Sequence, residues 1–169
     1  MKKLLLIFTL LSLLTACGGK EEFGNAVIDT VPGLTDEERA VWRIANYVKY
    51  NDGKVPPLSL FKEAGIINVN EINKESILKL ISQKDFDTVN SKAELQILID
   101  KYNKAIKKVQ EYAKDKGNAP TVEDFLDIGV VDNELQTKIE TLNTQIKGLP
   151  QDQLDKISLI SILEILNKI

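Results

Sequence analysis

Histidine is absent from the 169 residues, and cysteine, tryptophan and methionine each occur once. Without histidine, Ser-His-Asp and Cys-His arrangements are impossible, and acid–base and metal chemistry lose their commonest side chain. A single cysteine, Cys17, leaves no disulfide to staple the fold. Acidic residues outnumber basic ones, 25 to 22, and nucleic-acid binding depends on clustered Lys and Arg, so a nucleic-acid partner is not expected. No Asp-x-Asp-x-Asp-Gly loop points to calcium and no glycine-rich loop to a nucleotide, so neither a metal nor a cofactor is expected.

What is present begins with an export signal. Lys2 and Lys3 precede an apolar run from Leu4 to Leu14 broken only by Thr9 and Ser12, and Thr15, Ala16 and Cys17 follow. A positive segment, a short apolar segment and small residues make a cleavable signal over residues 1–16. The run is shorter than the roughly 20 apolar residues a permanent bilayer span needs. Residues 17–34, with a charge cluster at Lys20, Glu21 and Glu22, read as a spacer. Losing Lys2 and Lys3 leaves 20 of the 22 basic residues against 25 acidic ones, a formal charge of −5.

The remaining pattern is helical. Thr35 and Glu38 form a capping box ahead of Val41, Ile44, Ala45 and Val48, one apolar face at three-four spacing. Pro56 and Pro57 end that helix, a short one follows through Phe61 and Ala64, and Gly65 stops it. A further helix is expected from about Asn70 to Ser82 with Ile72, Ile77, Leu80 and Ile81 inward, then a polar break at 83–87. From Leu95 to Ala113 apolar residues recur with no Gly or Pro, which predicts one long helix over about 93–116.

The chain also repeats itself. Tyr47, Pro56, Phe61, Gly65 and Ile66-Ile67 recur as Tyr112, Pro120, Phe125, Gly129 and Val130-Val131, and Asn70-Glu71-Ile72 as Asn133-Glu134-Leu135. The expected fold is all-α: two tandem repeats of short helices form small bundles, module 1 over 35–106 and module 2 over 93–169, joined by the shared long helix.

Two resemblances follow from these residues. Leu14-Thr15-Ala16-Cys17 resembles the bacterial lipobox, which implies a diacylated Cys17 sulfur, cleavage just before it, and a membrane partner reached through the acyl chains. The alternative for Cys17 is a free cysteine in an ordinary secreted protein. Gly18 at the next position implies, where a source has two membranes, the outer one. Tyr112, Gly117-Asn118, Pro120 to Phe125, Gly129-Val130 and Asn133-Glu134-Leu135 resemble the short helical repeats found in tandem in large bacterial surface and adhesin-like proteins. Lys62 to Ile66 is more distantly similar to three-helix albumin-binding modules. Both likenesses imply a fold, and no binding residue is carried over from either.

Candidate contact residues are few. Lys101, Lys104 and Lys108 share one helical face and are placed to meet an anionic headgroup or glycan, or simply to be solvated beside pairs such as Lys107 and Glu111. Trp42 falls beside the inward stripe, at the core edge or in a contact surface. The acids Asp36, Glu37 and Glu38, like Glu123, Asp124 and Asp127, sit where helix N-termini favour acids. The expectation is a non-enzymatic, lipid-anchored module that binds a protein partner at the cell envelope. A carrier of a small apolar ligand and a carboxylate-dependent envelope hydrolase are the alternatives.

Overall fold

Capping begins α1, Asp36–Ala45: the Thr35 side chain accepts from Glu38 N–H while Glu38 Oε2 accepts from Thr35 N–H at 2.7 Å. The computed structural model describes residues 28–47 and 55–169. The signal, Cys17 and most of the spacer lie outside the described residues, as does the end of the first apolar face at Val48. After α1 come α2 (Leu58–Glu63), α3 (Lys74–Ser82), a 3-10 turn (Phe86–Thr88) and α4 (Lys92–Ala113). The same order then recurs: α5 (Val122–Ile128), α6 (Leu135–Lys147), a 3-10 turn (Gln151–Lys156) and α7 (Leu159–Leu166). Among the described residues there is no strand, and the fold is all-α.

Both short helices end the same way. Gly65 (φ 63°) and Gly129 (φ 100°) take the left-handed conformation. The next residue then donates back to the short helix's phenylalanine carbonyl, Ile66 to Phe61 at 2.8 Å and Val130 to Phe125 at 2.9 Å. Phe61 and Phe125 are buried, as are Ile66 and Val130, whereas Ile67 and Val131 are exposed. In the helices that precede them, buried Ala40, Val41 and Ile44 have buried counterparts 65 residues on at Ala105, Ile106 and Val109.

The long helix is uninterrupted over its 22 residues, about 33 Å at 1.5 Å per residue. Its left-handed stop is Asp115 (φ 57°), ahead of Gly117 (φ 95°), and Lys116 N–H reaches back to the Glu111 carbonyl at 2.8 Å. Tyr102, at its middle, is 1% exposed, and its hydroxyl faces Ser76 on α3 and Leu159 at the start of α7. Buried apolar residues from both halves of the chain form one contiguous core around this helix.

Two expectations differ from what forms. Residues 28–34 belong in part to the folded body: Ile28 and Val31 are each 5% exposed, and the Arg39 guanidinium donates to both their carbonyls. Ile28 and Val31 stand in an apolar stretch that ends at Pro32-Gly33, too short to display a period, and the Arg39 side chain ties it down. The helix expected from Asn70 begins at Lys74, and Ile72, expected inward, is 75% exposed. The Asn70 carboxamide accepts from the N–H groups of Ile72 (2.9 Å) and Asn73 (3.1 Å), an Asx turn that competes with helix at 70–73.

Candidate functional site

The surface with most unassigned chemistry is the outer face of α4. Leu95, Ile99, Tyr102, Ala105, Ile106 and Val109 point into the core, so the helical period sends Ile97, Lys101 and Lys104 outward. All three are exposed, Ile97 at 58%. Lys101 and Lys104 have no ion-pair partner among the described residues. Lys108, placed with them by spacing, differs: its ammonium bonds Asp124 Oδ2 at the start of α5. Lys107 pairs loosely with Glu111 at 3.9 Å.

Segment 67–73 is latched along the neighbouring flank of the same helix. Gln96 accepts from Ile67 N–H (2.9 Å) and donates to the Ile67 carbonyl (3.3 Å). Asn68 Nδ2 donates to Asp100 at 3.1 Å, and the Asn68 carbonyl accepts from Asn73 at 2.9 Å and Asn103 at 3.0 Å. Asn73 Nδ2 also reaches Asn103 Oδ1 at 3.0 Å. Residues 96, 100 and 103 fall on one side of a 3.6-residue helix, so the latch holds segment 67–73, which bears Ile67 and Ile72, along the flank next to the Ile97, Lys101, Lys104 stripe. Asn68 takes φ 66° to make the turn, a conformation asparagine tolerates better than most residues. Sequence reasoning missed this network; its one signal was the asparagine density of Asn68, Asn70 and Asn73.

Trp42 is half-buried. Its ring meets Phe86 edge-on, with centroids 5.6 Å apart and planes at 86°, which suits the core-edge reading.

Several of the acid groups are occupied by caps and ion pairs. Burial pushes the Asp124 carboxyl up, but bonds from Lys108 and from the Thr121 backbone and hydroxyl outweigh this and hold it below its ordinary value. Asp132 is held low by the Glu134 N–H and then by Lys138. Glu37 pairs with Lys92 at 3.2 Å, and Glu38 completes the α1 capping box. Asp29, ahead of α1, pairs with Arg43. Lys147 is raised by Asp115, 2.7 Å away, and lies 5.2 Å from the Tyr112 ring centroid. Among the described residues no group of three or more His, Cys, Asp or Glu is placed to hold a metal ion.

One open groove of about 380 Å³ lies between α3 and α7, with Tyr47, Leu78, Ile160 and Leu163 on its walls and Glu75 and Glu164 also lining it. The Tyr47 hydroxyl already donates to the Leu78 carbonyl at 2.9 Å.

Geometry therefore defines a small all-helical domain, several of whose described acid groups serve caps and ion pairs, with an amphipathic outer face on its longest helix. Compared with family profiles, curated proteins and solved structures, the chain finds no match.

Proposed function

We propose that the chain is a bacterial lipoprotein, moored through acyl chains on Cys17, whose helical domain acts without catalysis as an interaction module for a protein at the cell envelope. Two or three chains on one sulfur make membrane residence effectively permanent, since each buried methylene contributes about 0.8 kcal/mol. The observation that carries the interaction reading is the exposed apolar pair beside the stop of α5, Leu126 at 48% and Val131 at 74%. Isolated exposed apolar residues are ordinary, but two within six residues of one helix stop give a partner an apolar place to dock.

The domain is read as a tandem duplication, similar to the repeats of large bacterial surface proteins. Supporting this are the recurring element order, the paired left-handed glycines and the buried residues 65 positions apart. Sharing α4 fixes one half relative to the other, because a continuous helix does not swivel. Tyr102, buried at its middle, faces Ser76 from one half and Leu159 from the other.

A second reading, a carrier of a small apolar ligand, is favoured by the groove of about 380 Å³. The test is affinity capture from envelope extract with the acylated protein, beside a Val131→Glu/Leu126→Glu variant. Specific capture lost in the variant supports the module; recovery of nothing specific by either protein counts against it and leaves the carrier reading.

A further inference from the structure

We propose that the α4 stripe and the latched segment beside it form a face that lies on an anionic phospholipid surface. This divides the exposed surface, giving Ile67, Ile72, Ile97, Lys101 and Lys104 to lipid and leaving Leu126 and Val131 for a protein. It does not depend on the protein-partner reading or on acylation of Cys17.

Three observations carry it. The first is apolar: Ile67, Ile72 and Ile97 are 63%, 75% and 58% exposed, and the Gln96, Asn68, Asn73 and Asn103 bonds hold 67–73 against the helix that bears Ile97. The second is charge. Lys101 and Lys104 lack an ion-pair partner among the described residues; of the acids near them Glu71 pairs with Lys74 at 3.4 Å and Glu111 with Lys107, while Asp100 keeps its charge and is turned toward the latch by bonds from Asn68 and Gln96. The third is rigidity. The face is a helix side and a segment held by at least five side-chain bonds, so little order remains to be imposed on contact.

Isoleucines set among free lysines match the interfacial zone of a bilayer, where branched aliphatics enter the acyl boundary and the long lysine stems lift their ammonium groups to the headgroups. An acidic surface elsewhere opposes non-specific adhesion of the whole molecule to anionic lipid, so the contact is confined to the side where positive charge is unpaired.

The test uses the full chain with Cys17→Ser and one new cysteine, Ala93→Cys on the same face as Ile97 or Glu140→Cys on α6, each carrying a nitroxide. Its depth is read by collision with oxygen and with a water-soluble nickel complex. On phosphatidylcholine vesicles containing phosphatidylglycerol, the label at 93 should be shielded from nickel and the label at 140 should not. Adding Lys101→Gln and Lys104→Gln should lower the ratio of immersed to free face by about fivefold per charge removed. A label at 93 that stays as aqueous as the label at 140 overturns the proposal. So does equal immersion on phosphatidylcholine alone, because the lysines would then contribute nothing. Shielding seen only on adding envelope protein also overturns it and assigns the face to a protein partner. Since Cys17 is replaced throughout, failure here leaves the lipoprotein reading standing.

Discussion

A methyl group added at Gly129 would sit 2.7 Å from Leu80 Cδ1 and 3.1 Å from Gln83 Oε1, with Leu159 Cδ2 at 3.4 Å. Leu80 is a side-chain end, yet it is fully buried and cannot swing aside freely. Gly129→Ala therefore meets two costs. Holding a non-glycine residue left-handed costs about 1–2 kcal/mol, and overpacking a filled core costs about 1–3 kcal/mol more. We expect a loss of about 3 kcal/mol and a fall in Tm of roughly 6–12 °C. Gly117→Ala isolates the first cost, because Gly117 has φ 95° and nothing within 4 Å of the added carbon; it should lose only about 1–2 kcal/mol. The assay is urea unfolding followed by far-UV circular dichroism on both variants and on Gly129→Ala/Leu80→Ala. In the double variant the new methyl has room, so the cost of Gly129→Ala should shrink toward that of Gly117→Ala. Equal losses at 129 and 117, or no relief from Leu80→Ala, would refute the packing of α5's end against α3 and α7.

Tyr102→Phe should cost about 0.5–1.5 kcal/mol, because it removes the hydroxyl that faces Ser76 and Leu159 in the core; one cooperative unfolding transition should remain, read by denaturant titration. Burial raises the Tyr102 pKa in the folded state above its ordinary value near 10.0, so the unfolded chain ionises first. Stability should fall as pH rises past about 10, less so in Tyr102→Phe. The opposite sign holds for Asp124, whose pKa is lowered: its contribution is present above about pH 4 and lost as pH falls through the folded value. The stability gap between the native chain and Asp124→Asn should thus narrow between pH 7 and pH 2. Asn73→Ala removes donors to Asn68 and Asn103, and amide exchange at Ile67 and Ile72 should quicken while the core of α4 stays protected.

Helix starts and stops were legible because they are local. Thr35 needs only Glu38, and Gly65 and Gly129 signal their stops by residue type alone. The periodic faces of α1 and α4 were equally plain: Val41, Ile44, Leu95, Ile99, Tyr102, Ala105, Ile106 and Val109 are buried as spaced, with Ala45 and Leu98 half-buried at the edge. What escaped was held by contacts distant in sequence. Lys108 reads as one of three stripe lysines until Asp124, sixteen residues on, takes its ammonium. Ile28 and Val31 have no period, and only Arg39 reveals why they are buried. Ile72 keeps helical phase with Ile77, but the Asn70 side chain outcompetes the backbone bonds a helix would need there. The amphipathic face followed the same division. Lys101 and Lys104 were visible in the spacing, whereas Ile67 and Ile72 joined them only through the asparagine latch.

Mooring at Cys17 is most directly tested by intact-mass and peptide mass spectrometry of the processed protein from its native membrane. The processed chain should start at Cys17 and carry the added mass of two or three acyl chains on that residue. A chain that retains Met1 to Ala16, or one that starts at or near residue 17 with an unmodified sulfur, would contradict it.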